Sequence, residues 1–402
     1  MYGGTSRRLS SGLQVRGRLV LAAGFLALSA CINPVWTQAS FYEAPRSLLV
    51  GEPGSLVRKE RIDGAPLGAA AYRVLYRSTG LKGEPIFVSG VVVVPPGEAP
   101  AGGRPIVAWA HPTTGITPRC APSLAIFLFQ QIQGLRSFVE RDYVVAATDY
   151  PGLGTPQTHP YLVGDSEARA VIDAVRVAGA MPESGGGKRF VVWGHSQGGQ
   201  AALFTGMIAK AYAPELTLLG VAAAAPATDL ITLMNDDIDT VGGKNITAMT
   251  LWSWHRVYDV PIGKIIDPRA MPTVDRLARE CIEGPFDLLE RQRTEKPLEQ
   301  HFLTVERPAN VEPWHALLDK NTPTALPREI PVFLAQGTID KIIRPDVTRD
   351  YMSKLCKAGS KVRLMMLPNI GHGRAAQASI MVAVNWMTDR FGGEAPPSDC
   401  PN

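Results

Sequence analysis

The stretch Arg189-Phe190-Val191-Val192-Trp193-Gly194-His195-Ser196-Gln197-Gly198-Gly199-Gln200-Ala201-Ala202 opens as an apolar run of strand character and stops at a glycine. It resumes after Gly199 as a small-residue segment with helical propensity. Between the two, Gly194-x-Ser196-x-Gly198 has the spacing of a nucleophile elbow, a cramped strand-to-helix turn that carries a serine. The flanking glycines fit because a Cβ at either position would collide with the neighbouring strand or helix. Ser196 Oγ would then stand above the sheet edge, at the positive end of the following helix. A serine hydroxyl is a weak nucleophile alone, so this reading requires a base and an orienting acid further along. A plain Gly-Ser turn has the same residues. The buried-type strand before it and the helix after it favour the elbow.

Around this stretch, strands and helices alternate, which predicts a mostly parallel, doubly wound α/β sheet. Upstream, Ala70–Ser78 and the β-branched run Ile86–Val94 read as an antiparallel hairpin at a sheet edge. Strand 106–110, a helix over 123–140, strand 143–147 and a helix over 166–179 opened by a cap at Asp165 lead to the elbow. A helix to about Ala211 and a strand over 218–225 follow it. From Ile231 to about Leu326 the alternation stops, and Trp252, Trp254 and Trp314 stand among prolines and helical fragments such as 273–283. Residues 231–326 therefore read as an inserted cap between core segments 65–230 and 327–402. The second core segment carries strand 331–336, helix 346–358, strand 362–367 and a final helix over 374–390.

Composition bounds the function. The 402 residues are 45% apolar and 19% charged, which indicates a globular chain with a large core. The net charge of +4 comes from Arg7, Arg8, Arg16 and Arg18; without them 37 basic residues face 37 acidic ones. A basic face for nucleic acid has no compositional support. Residues 1–30 read as an export signal, with a basic n-region before the apolar run Leu19–Leu28, which is too short to span a bilayer. Leu28-Ser29-Ala30-Cys31 resembles a bacterial lipobox, which would lipidate Cys31 and tether the protein to a membrane. Ordinary secretion with cleavage near Thr37-Gln38-Ala39 is the other reading. Residues 31–64 then form a polar tether. Setting Cys31 aside leaves Cys120, Cys281, Cys356 and Cys400, an even set consistent with two disulfides in any of three pairings. No Cys/His cluster has zinc spacing, so no metal is expected, and the serine chemistry of the elbow needs no cofactor.

The base should follow the last strand. Gly371-His372-Gly373 does, just past Leu364–Pro368, in the chain order Ser, Asp, His that this fold uses. The acid should follow the preceding strand, where Asp340 can accept the imidazole N–H and fix its tautomer. Asp346 reads better as an N-cap, and Asp319 falls in the cap. His159, His255, His301 and His315 read as structural or exposed, and His195 as packing beside the elbow. A developing oxyanion needs donors. The Gln197 N–H is one, and in His111-Pro112-Thr113-Thr114-Gly115 the Thr113 N–H is the second, since proline has none.

Gly-His-Ser-Gln-Gly-Gly, His-Pro-Thr-Thr-Gly, Asp149-Tyr150-Pro151-Gly152-Leu153-Gly154, the Gly-x-x-Asp segment and the late Gly-His together resemble the secretory lipases, the group typified by Candida lipase A-like enzymes. The resemblance runs from about residue 65 to 400. It implies an α/β-hydrolase fold, a helical cap over the serine, and action on carboxylic esters of fatty acids. It also implies the triad Ser196, Asp340 and His372 and the disulfides Cys120–Cys281 and Cys356–Cys400. An acidic residue can stand where this chain has Thr113, so only a backbone role is expected there, and Asp149 is expected to organise its loop. The expectation is a Ser-His-Asp ester hydrolase working through an acyl-enzyme. Two alternatives are a non-catalytic lipid-binding envelope lipoprotein, and an acyltransferase or peptidase on the same triad.

Overall fold

Successive residues along a strand point to opposite sides, so each continuous apolar strand supplies both faces of one sheet. A computed structural model of the chain describes residues 41–401 except Asp239. Its strands are β1 (Leu56–Ile62), β2 (Ala70–Thr79), β3 (Pro85–Val94), β4 (Arg104–Ala110), β5 (Val144–Thr148), β6 (Gly186–His195), β7 (Thr217–Ala224), β8 (Val332–Gly337) and β9 (Val362–Leu367). They form a nine-stranded sheet in the order β1-β2-β3-β5-β4-β6-β7-β8-β9. The first three are antiparallel to their neighbours, and β5 onward the pairs are parallel.

One face, with Val107, Trp109, Val191, Trp193 and Phe333, is covered by the last helix, Ala375–Gly392. The other, with Ile106, Ala108, Phe190, Val192 and Leu334, is covered by helices Gly164–Ala180, Gln197–Tyr212 and Pro345–Lys357. In chain order the α-helices here are α1 (Leu128–Gln131), α2 (Leu135–Glu140), α3 (Gly164–Ala180) and α4 (Gln197–Tyr212). Between β7 and β8 lie α5 (Leu230–Asp237), α6 (Val241–Val257), α7 (Met271–Arg279), α8 (Pro285–Glu295) and α9 (Trp314–Lys320); α10 (Pro345–Lys357) and α11 (Ala375–Gly392) complete the set. Leu233, Met249, Trp254 and Leu277 of this insertion join the same buried cluster as the first sheet face. Disulfides Cys120–Cys281 and Cys356–Cys400 close with Cα separations of 5.2 and 5.4 Å. The first ties the loop after β4 to the insertion, and the second ties the C-terminal end to α10.

The structure departs from the sequence reading in four places. Residues 56–62, expected within the tether, form the edge strand β1. Its run Arg58-Lys59-Glu60-Arg61 hides the strand, because charge is how exposed edges avoid pairing with other chains. The single helix expected over 123–140 is broken, since Gly134 sits in the left-handed region at φ 89° and separates α1 from α2. Asp165 is not a cap: α3 begins at Gly164, and Asp165 lies within its first turn. Nor does Asp346 cap α10; it lies in the first turn, paired with Arg344. The export signal, Cys31 and the Thr37–Ala39 cleavage alternative fall outside the described residues.

Candidate active site

Ser196, Thr113, Asp340 and His372 come from loops at the carboxyl ends of β6, β4, β8 and β9, one rim of the parallel sheet, where ligands bind in open α/β sheets. Ser196 takes φ 57° and ψ −119°, a strained conformation for a residue with a side chain. The elbow is pinned on both sides: Ser196 N–H donates to the Ala224 carbonyl at 3.0 Å, and Gln200 N–H to the Ser196 carbonyl at 3.0 Å. A Cβ on Gly194 would strike the Gly198 carbonyl, and one on Gly198 would strike the carbonyls of Ala110 and His111. The glycines thus let the turn close against the end of β4.

His372 Nδ1 lies 2.9 Å from Asp340 Oδ2, and its Nε2 lies 2.9 Å from Ser196 Oγ. A carboxylate only accepts, so the ring proton is on Nδ1, and Nε2 is left to accept the serine hydroxyl. Asp340 is buried. Its Oδ1 accepts from the amides of Ile342 and Ile343 at 2.9 Å each, and Gln336 Nε2 donates to Oδ2 at 3.2 Å. Burial pushes this carboxyl up, but the His372 hydrogen bond and charge, with the two amides, outweigh it and hold the group below its ordinary value.

The N–H groups of Gln197 and Thr113 are not committed to any hydrogen bond among the described residues. Both residues stand at the rim, Gln197 at the first position of α4 and Thr113 in the loop after β4. Tyr161 OH and Thr113 Oγ1 are 2.9 Å apart. His195 packs beside the site with its ring centroid 4.9 Å from that of His372, and its Nε2–H donates to the His372 carbonyl at 3.0 Å. Burial, then the neighbouring His372, lowers His195 to about 3.

His255 and His315 bond to carbonyls inside the insertion, His301 lies near Asp267, and Asp319 is exposed on α9; none joins the rim. Asp149 does organise its loop, accepting from Ser89 Oγ at 2.6 Å and from the Ser123 amide at 2.8 Å. Sequence reasoning missed Glu167 and Tyr161 and undervalued His159. A glutamate in a helix's first turn and aromatic residues in a Pro-bounded loop carry no signal of what they will face.

A small pocket of about 40 Å³ reaches Ser196 and Gln197. Its walls are apolar, from Leu230, Leu233 and Met234 of α5, Ile246 of α6, Leu318 of α9 and Ile342 of the loop that carries Asp340. Among the described residues no group of three or more His, Cys, Asp or Glu side chains is placed to hold a metal ion. No described helix is long and apolar enough to cross a membrane.

A mostly parallel sheet wound on both faces by helices, with a serine on a tight strand-to-helix turn at its rim, is the α/β-hydrolase fold. The secretory lipase family model matches residues 130–399, and the chain belongs to that family. Similar proteins include a probable inactive lipase of Mycobacterium tuberculosis (strain CDC 1551 / Oshkosh), 24% identical over 388 residues that cover 88% of this chain and 82% of the relative. A secreted triacylglycerol lipase of Malassezia globosa is 24% identical over 397 residues, covering 90% and 80%. Among solved structures, Candida antarctica lipase A in its closed state matches with a TM-score of 0.71 at 18% identity, over 90% of this chain and 87% of that one. The rice cell wall degrading esterase LipA from Xanthomonas oryzae matches at 0.69 and 19%, over 85% and 98%.

Proposed function

We propose that this protein is a carboxylic ester hydrolase that cleaves acyl esters of lipids through a Ser196–His372–Asp340 triad and an acyl-enzyme. His372 Nε2 takes the Ser196 proton as Oγ attacks the ester carbonyl, and Asp340 stabilises the imidazolium that forms. The oxyanion develops against the N–H groups of Gln197 and Thr113, each worth on the order of 3 kcal/mol of barrier. His372 then protonates the departing alcohol, and water, deprotonated by the same ring, releases the acid. The observation that carries this reading is the unbroken chain of two 2.9 Å contacts from Oγ through the ring to a carboxylate tied by two backbone amides. The apolar walls of the adjoining pocket support an acyl chain as its occupant.

One relative's description as a probable inactive lipase favours a second reading, a lipid-binding protein on this fold without turnover. A fluorophosphonate probe separates the two, because it labels only an activated serine. The expected outcome is stoichiometric labelling that Ser196→Ala abolishes. Nitrophenyl-ester hydrolysis should fall about 10⁴-fold or more in the same variant. Full esterase activity in Ser196→Ala would remove the proposed mechanism, and hydrolysis of anilides or transfer to alcohol acceptors at rates matching the esters would move the activity to a peptidase or acyltransferase.

Residues 1–30 fit export, and the lipobox supports attachment of the protein to the cell envelope through a lipidated Cys31. Cells expressing the full chain and fed labelled palmitate should label the wild type and not Cys31→Ala. Equal labelling of the two would count against the lipobox, and no label on either would favour release after cleavage near residue 39.

A further inference from the structure

Behind the elbow lies a polar cluster that the triad does not use. Glu167, His159 and Gln197 are each 1% exposed or less, although a buried carboxyl costs free energy and an apolar side chain would pack there without that cost. Glu167 Oε1 accepts from Gln197 Nε2 at 2.7 Å and from the Leu162 amide at 3.0 Å. His159 Nδ1 is 2.8 Å from the Pro151 carbonyl, so that nitrogen bears the proton and Nε2 is an acceptor. Gln197 Nε2 therefore donates its second hydrogen to His159 Nε2, at 3.1 Å. Both hydrogens of one amide nitrogen are thus fixed, and the orientation of the Gln197 side chain with them. Gln197 directly follows Ser196, and its backbone N–H is left uncommitted among the described residues.

The segment that provides Glu167 also reaches the other oxyanion donor. Two residues after His159, Tyr161 OH meets Thr113 Oγ1 at 2.9 Å. Tyr161 is itself held at both ends of its peptide. Its N–H donates to Ser253 Oγ at 3.1 Å, and its carbonyl accepts from Trp254 Nε1 at 2.7 Å. Residues 159–167 are thereby bonded to the residues that carry both N–H donors. Donors of this kind act only when held within about half an ångström of the productive position.

We propose that Glu167 is a positioning residue for the oxyanion hole, fixing the Gln197 N–H through the Gln197 side chain while its own segment fixes Thr113 through Tyr161. This rests on the reading of Ser196 as an acyl-transfer nucleophile. Burial pushes the Glu167 carboxyl up to about 8, against the lowering effect of its Gln197 and Leu162 hydrogen bonds. It is therefore mostly a neutral acid near pH 7, and a glutamine, which keeps a carbonyl oxygen for both donors, should replace it.

The test is kcat and KM for 4-nitrophenyl butyrate, with the matching thionoester, on wild type, Glu167→Gln, Glu167→Leu and Gln197→Met. The carbonyl sulfur of a thionoester is a poor hydrogen-bond acceptor, so the ester-over-thionoester ratio of kcat/KM reports the donors rather than general integrity. Glu167→Leu should lose about 10²-fold in kcat with KM within about threefold, and its ester preference should shrink about tenfold. Glu167→Gln should stay within about threefold of wild type. Gln197→Met keeps the backbone N–H and should lose kcat as Glu167→Leu does, so it decides the matter if Glu167→Leu fails to fold. Unchanged kcat in Glu167→Leu or Gln197→Met, an unchanged ester preference, or a Glu167→Gln as damaged as Glu167→Leu would overturn the proposal. Failure of the underlying reading is separate and visible in wild type: no fluorophosphonate labelling of Ser196.

Discussion

At the scale of single residues, titratable side chains that water does not reach, some beside the site and some remote from it, set how stability should vary with pH. Desolvation lowers His111 to about 4, His159 to about 3 and His195 to about 3. It raises Glu167 to about 8, Glu295 to about 7 and Asp173 to about 6. A histidine with a lowered pKa binds fewer protons folded than unfolded, so its contribution is present above about 6.5 and is lost as pH falls. A carboxyl with a raised pKa binds more protons folded than unfolded, so its contribution is present below about 4.5 and is lost as pH rises. Between about pH 4.5 and 6 the two sets oppose each other and stability should be nearly flat. Below that window the histidines, joined by lowered carboxyls such as Asp340, reduce stability as pH falls, and above about 6.5 Glu167 and Glu295 reduce it as pH rises, each group at up to about 1.4 kcal/mol per pH unit. Thermal unfolding in buffers from pH 3 to 9 should give a plateau with falling limbs, and Glu167→Gln should flatten the alkaline limb. A Tm that climbs steadily from pH 6.5 to 8 would contradict this assignment of burial. None of these shifts was legible in the chain. Ser196, Asp340 and His372 are announced by the glycines, strand ends and order around them, whereas burial of Glu167 or His159 depends on what the fold brings over them.

At the scale of elements, legibility tracked how much of an element's pattern is dictated by its own neighbours. The strands buried on both faces, β4 to β8, are continuous apolar runs and could be read directly. The edge strand β1 could not, because the charges that protect it are those expected of a loop. The elbow lies at the legible extreme, since its glycines answer to contacts with fixed backbone. Gly198 packs its Cα against the carbonyls of Ala110 and His111, at the end of β4 and the start of the loop that presents Thr113. Gly198→Ala must therefore displace either the elbow or that loop, and overpacking of this kind typically costs about 1–3 kcal/mol or more. The loss should appear as lower Tm and soluble yield in a Ser196→Ala background as well, because the demand is geometric. A Gly198→Ala variant with wild-type Tm would mean that β4 and α4 can separate without penalty.

At the scale of the whole molecule, the insertion between β7 and β8 was legible only as an interruption. Apart from the 17-residue α6 its helices are short, only α5 and α6 start at side-chain N-caps (Asp229 and Thr240), and Trp254 and Trp314 are buried in the cluster shared with the sheet, so no single period runs through them. Those same helices roof the rim. Arg344, four residues past the candidate triad acid, meets Asp236 of α5 at 2.6 Å, and a Cβ on Gly242 of α6 would lie 3.4 Å from Ile342 Cγ1. The pocket left beneath them, about 40 Å³, is far below the roughly 300–1,000 Å³ of sites that enclose small molecules. We therefore propose that the insertion acts as a lid and that α5 and α6 must part from the Asp340 loop before a long acyl chain enters. Gly242→Cys combined with Ile342→Cys puts a removable cross-link across that seam, with Gly242→Ser combined with Ile342→Ser as the control for the substitutions themselves. Oxidation of the cysteine pair should cut hydrolysis of 4-nitrophenyl decanoate at least about tenfold while leaving the acetate within about threefold, and mild reduction should restore the decanoate. Decanoate hydrolysis that survives a verified cross-link would mean that acyl chains reach Ser196 by a route that leaves α6 and the Asp340 loop together.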